Sequence, residues 1–167
     1  MENNLIISHM TLRKVIGILG IALAFIVVLG GSLSGVLMPS ISAYYHTNMR
    51  DILVGTLMVV GAFLLSYKGY DKMDNVTSTI AGIAALGIGL FPCVGSSLPQ
   101  VGFLMLSNSV ANSIHLASAS IFFLIIAYIS YFQFTKAGSA ITEAKKKRNI
   151  IYRISGIVIA SCIILLL

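Results

Sequence analysis

The chain predicts an all-α fold, a polytopic transmembrane helical bundle, and three observations carry that prediction. Five long apolar segments punctuate the 167 residues, at positions 15–37, 52–67, 76–91, 113–134 and 150–167. Hydrophobic residues make up 57% of the chain and charged ones only 10%, with a mean hydropathy of +0.97. A soluble domain of this size needs far more charge on its surface, whereas hydrocarbon solvates apolar side chains and allows the core and the exterior both to be apolar. The cations are also segregated. Arg13 and Lys14 precede the first segment, Lys68 and Lys72 follow the second, and Lys136, Lys145, Lys146, Lys147, Arg148 and Arg153 surround the fourth gap. That is ten of the eleven Lys and Arg residues on one side of an up-and-down bundle, with Arg50 alone on the other. Cationic loops resist translocation, so the bias predicts a cytoplasmic N-terminus and, after five spans, an outer C-terminus.

Helices are the reading for these segments because backbone amides in lipid must pair internally, and the alternation of barrel strands is absent. The first segment begins like a secretory signal, with Arg13 and Lys14, an apolar run and the small residues Ser32 and Ser34. Its run to residue 37 is long enough to cross a bilayer and four more segments follow, so it reads as an uncleaved first helix. Gly31 and Gly35, four apart, predict a packing face at its outer end. The second and third segments are short by the measure of ~20 residues per span and are expected to extend into their flanks. Asp51 is suited to the first turn of the second helix, where a carboxylate meets the positive end of the dipole, with Asn48 as its N-cap. Arg50 is expected to pair with Asp51 or with a lipid phosphate.

The turn at 68–75 carries Asp71 and Asp74. With Lys68 and Lys72 there to neutralise them, it reads as a solvated turn. In the third segment Ala81, Ala85 and Gly89 form one row of small residues, and Ser78 and Gly82 a neighbouring one. Such rows let helix backbones approach closely in lipid, which predicts that the third helix lies at the centre of the bundle. The outer loop at 92–112 has no charge. Its piece at 103–106 is apolar enough to lie on the membrane or against the bundle. Tyr44 and Tyr45 are expected at the outer interface, and Tyr67, Tyr70, Tyr131 and Tyr152 at the inner one. Cys93 and Cys162 read as packing residues. The apolar end at 163–167, with no polar residue after it, predicts a sixth helix in a complete protein.

The net charge of +6 raises the question of nucleic acid. The positives flank membrane ends, and nothing beside them is built to read bases, so nucleic acid is not expected as a partner. Membrane lipids are, together with a helix-mediated homo-oligomer. Lys145, Lys146, Lys147 and Arg148 read first as a topology signal and second as a contact for anionic headgroups, worth ~1 kcal/mol per residue near the surface.

Topology gathers scattered polar residues at the outer rim. Ser40, Ser42, His46, Thr47, Asn48, Arg50 and Asp51 join the first two spans, and Asn108, Asn112 and His115 lead into the fourth, spaced to share one helix face. Ser42, His46, Asp51 and His115 are the candidate catalytic residues, and His46, Asp51 and His115 the candidate metal ligands. Such an inventory suits an activated water on a metal or a general acid/base pair. Helix capping and interhelical hydrogen bonding account for the same residues without chemistry.

Ser42 and His46 make a Ser-x-x-x-His element that resembles part of the superfamily of alkaline ceramidases, hemolysin III-like proteins and adiponectin receptors. That resemblance implies a zinc site for lipid amide hydrolysis, with Ser42, His46 and Asp51 at its first elements. The late His-x-x-x-His pair of those proteins has no counterpart among His9, His46 and His115. More widely, SISAYYHTNMRDILVGTLMVVGAFLLSYKGYDK, GIGLFP and HLASASIFFLIIAYISYF resemble a bacterial membrane family known only as domain of unknown function 998. The match runs over roughly residues 40–136 and implies a six-span protein of a bacterial inner membrane, with no activity attached.

The favoured expectation is therefore a multi-pass inner-membrane protein, non-enzymatic and without a cofactor, that binds lipid or a small ligand at its outer rim. A zinc-dependent membrane lipid hydrolase is the alternative. A small transporter is the third, with no ionisable residue near a span centre and no proline inside a span to mark a path.

Overall fold

A computed structural model describes residues 9–69, 71–95, 100–136 and 142–166. Its elements run α1 (His9–Leu33), a 3-10 turn (Ser42–His46), α2 (Arg50–Ser66), α3 (Lys72–Leu90), β1 (Gln100–Val101), β2 (Leu106–Ser107), α4 (Asn108–Tyr128), a π-helical turn (Ile129–Gln133) that continues α4, and α5 (Glu143–Leu166). The fold is all-helical, as expected, apart from the two-residue antiparallel pairing of β1 with β2. Four helices are long and apolar enough to cross a membrane: α1, α3, α4 with its π turn, and α5. The second of the five expected spans is the exception. α2 has 17 residues, about 26 Å at 1.5 Å per residue, short of the hydrocarbon thickness.

The expected boundaries shift for local reasons. α1 stops at Leu33, four residues before the end of the apolar run, because Gly35 takes a left-handed conformation (φ 73°). The Val36 amide then donates to the Gly31 carbonyl at 2.8 Å and the Gly35 amide to Ser32 at 3.0 Å. This pair of bonds is the Schellman stop that glycine permits. Gly31 and Gly35 are thus not one packing row: Gly31 is buried, and a Cβ there would run into the Tyr44 ring, whereas Gly35 faces open space. α3 starts early at Lys72, capped by the Asp71 carboxylate, which accepts the Asp74 amide at 2.9 Å. α5 starts at Glu143, so Lys145, Lys146, Lys147 and Arg148 lie on its first two turns instead of in a loop. The loop expected at 92–112 is largely structured, by the hairpin and by α4 beginning at Asn108. Tyr70 and Leu167 lie outside the described residues.

Successive helices pack as neighbours, α2 on α3, α3 on α4 and α4 on α5, with α1 beside α2. α3 is the centre, as its small residues predict. Half of its membrane-length window is buried, against 11% for α1, 17% for α4 and 6% for α5. Ser78, Ala81, Gly82, Ala85 and Gly89 are all buried. A Cβ on Gly82 would come within 2.9 Å of the Gly61 carbonyl oxygen, so the α2 and α3 backbones meet where neither glycine has a side chain.

Two buried clusters support the two ends of the bundle. Val27, Tyr44, Tyr45 and Leu53 form one, and Val60, Leu64 and Ala81 the other. Tyr44 and Tyr45 are therefore packed in the core, at 1% and 8% exposure. Outside the bundle Ile18, Ile21 and Phe25 of α1 and Ile154, Ile157 and Ile164 of α5 are exposed. Cys162 is exposed as well, which corrects its assignment as a packing residue, while Cys93 is half-buried and free.

Candidate functional site

One end of the bundle, here the rim end, gathers the 3-10 turn, the start of α2, the exit of α3, the hairpin and the start of α4. His115 opens the site. It sits two turns into α4, buried at 4% exposure, and both of its nitrogens are engaged. Nδ1 lies 2.8 Å from the Phe91 carbonyl oxygen and Nε2 lies 3.1 Å from Ser42 Oγ. A carbonyl only accepts, so Nδ1 carries the proton. In the neutral ring Nε2 is then an acceptor, and the Ser42 hydroxyl donates to it. Ser42 itself is half-buried.

His46 closes the same 3-10 turn and has the opposite tautomer. Its Nε2 donates to the Cys93 carbonyl at 2.9 Å, and its ring packs edge-on against Tyr45. Asn112, one turn before His115, accepts the Val94 amide at 2.9 Å. Pro92, which has no amide to donate, is fully buried between these contacts. The chain leaving α3 is thus fastened at three backbone groups, those of residues 91, 93 and 94, by side chains from two other elements. Burial pushes the Cys93 thiol above its ordinary value of 9.0.

Ser42 and His115, expected at one rim, are in contact; His46 binds the same backbone segment; Asp51 is not brought to them. Asp51 is exposed in the first turn of α2. Asn48 is not the N-cap there. Met49 holds that position without a side-chain bond, and the Asn48 amide donates instead to Ser34 Oγ at 2.8 Å. Arg50 pairs neither with Asp51 nor with another carboxylate among the described residues. It donates to the Tyr45 hydroxyl at 3.1 Å, with its guanidinium 4.7 Å from the Tyr45 ring centroid.

Among the described residues no group of three His, Cys, Asp or Glu side chains is arranged to hold a metal. Both nitrogens of His115 are already engaged in hydrogen bonds, and Asp51 is not brought to it.

Beside the rim stands an apolar lip. The hairpin loop at 102–105 projects Phe103, Leu104 and Met105, exposed at 69%, 56% and 59%. The loop is built into the rim, since the Phe103 amide donates to the Leu90 carbonyl at 3.2 Å. Met105 is at φ 51°, a left-handed conformation that costs a non-glycine residue on the order of 1 kcal/mol.

The other end, the basic end, carries a second polar cluster. Lys136 Nζ lies 2.7 Å from Asp71 Oδ2 and 2.7 Å from Asp74 Oδ1. Lys68 and Lys72 are not the partners, and the turn is not simply solvated, because Asp74 is 4% exposed. The ammonium draws the Asp71 carboxyl below its ordinary 3.8, and the two carboxylates hold Lys136 above its ordinary 10.5. The π turn brings Gln133 alongside, where its amide donates to Thr77 Oγ1 at 2.7 Å. Of the four expected headgroup contacts, Lys145 donates to the Phe134 carbonyl and Lys146 pairs with Glu143, while Lys147 and Arg148 are exposed.

No family model, no curated protein and no solved structure matches this chain.

Proposed function

We propose that this chain is a multi-pass protein of a bacterial inner membrane, with its basic end in the cytoplasm, that binds an amphiphile, a lipid or a small lipid-like ligand, at its outer rim. One observation carries the reading: a polar seat of Ser42, His115 and His46 stands beside the exposed apolar lip of Phe103, Leu104 and Met105. An amphiphile matches both halves, with its head against hydroxyl and imidazole and its chains along the lip. Each large apolar side chain removed from water contributes about 1.5–3 kcal/mol, enough to justify the strain at Met105. The orientation is supported by the charge asymmetry, since Lys68, Lys72, Lys136 and Lys145 all belong to the end opposite the rim.

Two experiments test this. In a Cys93→Ser, Cys162→Ser background, Leu104→Cys is expected to react with an impermeant maleimide in intact cells, and Lys146→Cys only after permeabilisation. The reverse pattern would overturn the orientation. Native mass spectrometry of detergent-purified protein is expected to show a retained lipid that Leu104→Asp largely removes. Equal retention in the variant would overturn the rim as its seat.

A further inference from the structure

We propose that Ser42 and His115 form a serine–histidine pair that takes the acyl group from a lipid ester and passes it to water, an activity that rests on the rim being an amphiphile seat. It differs in kind from a zinc hydrolase, because the nucleophile is a side chain and no metal takes part.

The geometry divides the labour as this chemistry requires. A serine hydroxyl is a weak nucleophile until a base in hydrogen-bond reach takes its proton, and the base must itself be held in one tautomer by a third group. Ser42 Oγ and His115 Nε2 are 3.1 Å apart, within reach for that transfer. The Phe91 carbonyl, 2.8 Å from Nδ1, fixes the tautomer and the ring plane. Burial separates the roles further. His115 is 4% exposed and shielded from bulk water, whereas Ser42 is only half-buried.

In the first step Ser42 Oγ attacks the ester carbonyl carbon while its proton moves to His115 Nε2. The tetrahedral intermediate expels the alcohol portion, which takes that proton from Nε2 as it leaves, and the acyl group remains on Ser42. In the second step water attacks the acyl carbon as His115 Nε2 takes its proton. Ser42 Oγ leaves and recovers that proton, and a fatty acid is released. One ester and one water give one acid and one alcohol, with no redox change. The Phe91 oxygen is neutral, so it stabilises the imidazolium less than a carboxylate does, and slow turnover is expected.

The substrate class follows from the surroundings. The piece at 92–112 carries no charge, and the apolar lip stands at the same end of the bundle. A long-chain acyl ester suits this site.

The test uses the full chain purified in detergent, treated with a fluorophosphonate and, separately, with a p-nitrophenyl ester of a long-chain fatty acid. Peptide mass spectrometry is expected to place both adducts on Ser42. Ser42→Ala abolishes them, and His115→Asn slows adduct formation about a hundredfold, as loss of a general base does. In case His115→Asn folds poorly, Ser42→Cys supplies an independent reading. Its new thiol is expected to alkylate faster than Cys162, and this excess is lost in the Ser42→Cys, His115→Asn double variant. Lipid retention is measured on the same samples. Retained lipid with no adduct on Ser42 overturns the acyl-transfer pair and leaves the seat standing. Neither lipid nor adduct in monodisperse protein overturns both.

Discussion

The two ends of the bundle hold themselves together by different physics. At the rim end the contacts that fasten the chain leaving α3 are neutral: His115 to the Phe91 carbonyl, His46 to the Cys93 carbonyl, and the Val94 amide to Asn112. At the basic end a single ammonium bridges two carboxylates, Asp71 and Asp74, that belong to the first turn of α3 and its cap. Neutral side-chain bonds to backbone carbonyls fix direction and tautomer but respond little to salt. Charge-assisted bonds are stronger, and because Lys136 is half-exposed they are open to screening. The comparison teaches where precision is invested. The rim spends its polar groups on setting the geometry of a short piece of backbone, and the basic end spends its charges on joining α3 to the far end of α4.

The largest expected effect breaks the rim. His115→Ala removes the donor to Phe91 and the acceptor of Ser42 together, leaving a part-buried carbonyl without that donor. A loss of about 2–3 kcal/mol is expected, read as a lowered thermal midpoint in detergent that is the same at low and high salt. A midpoint unchanged from wild type would mean that the exit of α3 is held by something else.

Lys136→Met is the counterpart at the basic end, with a smaller loss of about 1–2 kcal/mol because the lost ammonium is half-exposed. Its signature is salt. In 1 M salt, where the screening length is about 3 Å, the gap between variant and wild type should shrink. The pH window has two edges. Asp71, with its carboxyl lowered, contributes stability that is present above 3.8 and lost as pH falls through its folded value; Lys136, held above 10.5, contributes stability that is present below 10.5 and lost as pH rises through its folded value. Across neutral pH the clasp is therefore constant, and a strong dependence there would contradict it.

The smallest effect sharpens the contrast. Glu143 and Lys146 also pair at 2.7 Å, but both are exposed and belong to one helix. Glu143→Gln is expected to change stability by no more than about 0.5 kcal/mol, since a surface pair gains little against water. A larger loss would show that the start of α5 matters more than its exposure suggests.

How much of this is legible in the chain depends on how local its cause is. The row at 78, 81, 82, 85 and 89 is readable because helical spacing alone puts these small residues on the side that must face a neighbour. The meeting of Ser42 with His115 is half-readable, since topology brings them to one rim but only the fold sets the contact. The partners of the histidines are not readable at all, because they are backbone carbonyls, and every residue has one. Lys136 is missed for a related reason: Lys68 and Lys72 are nearer in sequence to Asp71 and Asp74, and no simple spacing rule foresees the π turn that precedes Lys136. The end of α1 shows the opposite failure. The apolar run continues to residue 37, but Gly35 stops the helix by its backbone freedom before hydrophobicity gives out.

The most direct test of the account is the tautomer of the rim histidines, read by 15N NMR of histidine-labelled protein in lipid nanodiscs at about pH 8, with His46→Gln and His115→Gln used for assignment. Opposite tautomers are predicted: His115 protonated on Nδ1, with Nε2 accepting from Ser42, and His46 protonated on Nε2. Losing the Ser42 hydroxyl in Ser42→Ala should shift the His115 Nε2 resonance and leave that of His46 in place. A His115 protonated on Nε2, or one indifferent to Ser42→Ala, would contradict the arrangement from which both the seat and its chemistry are argued.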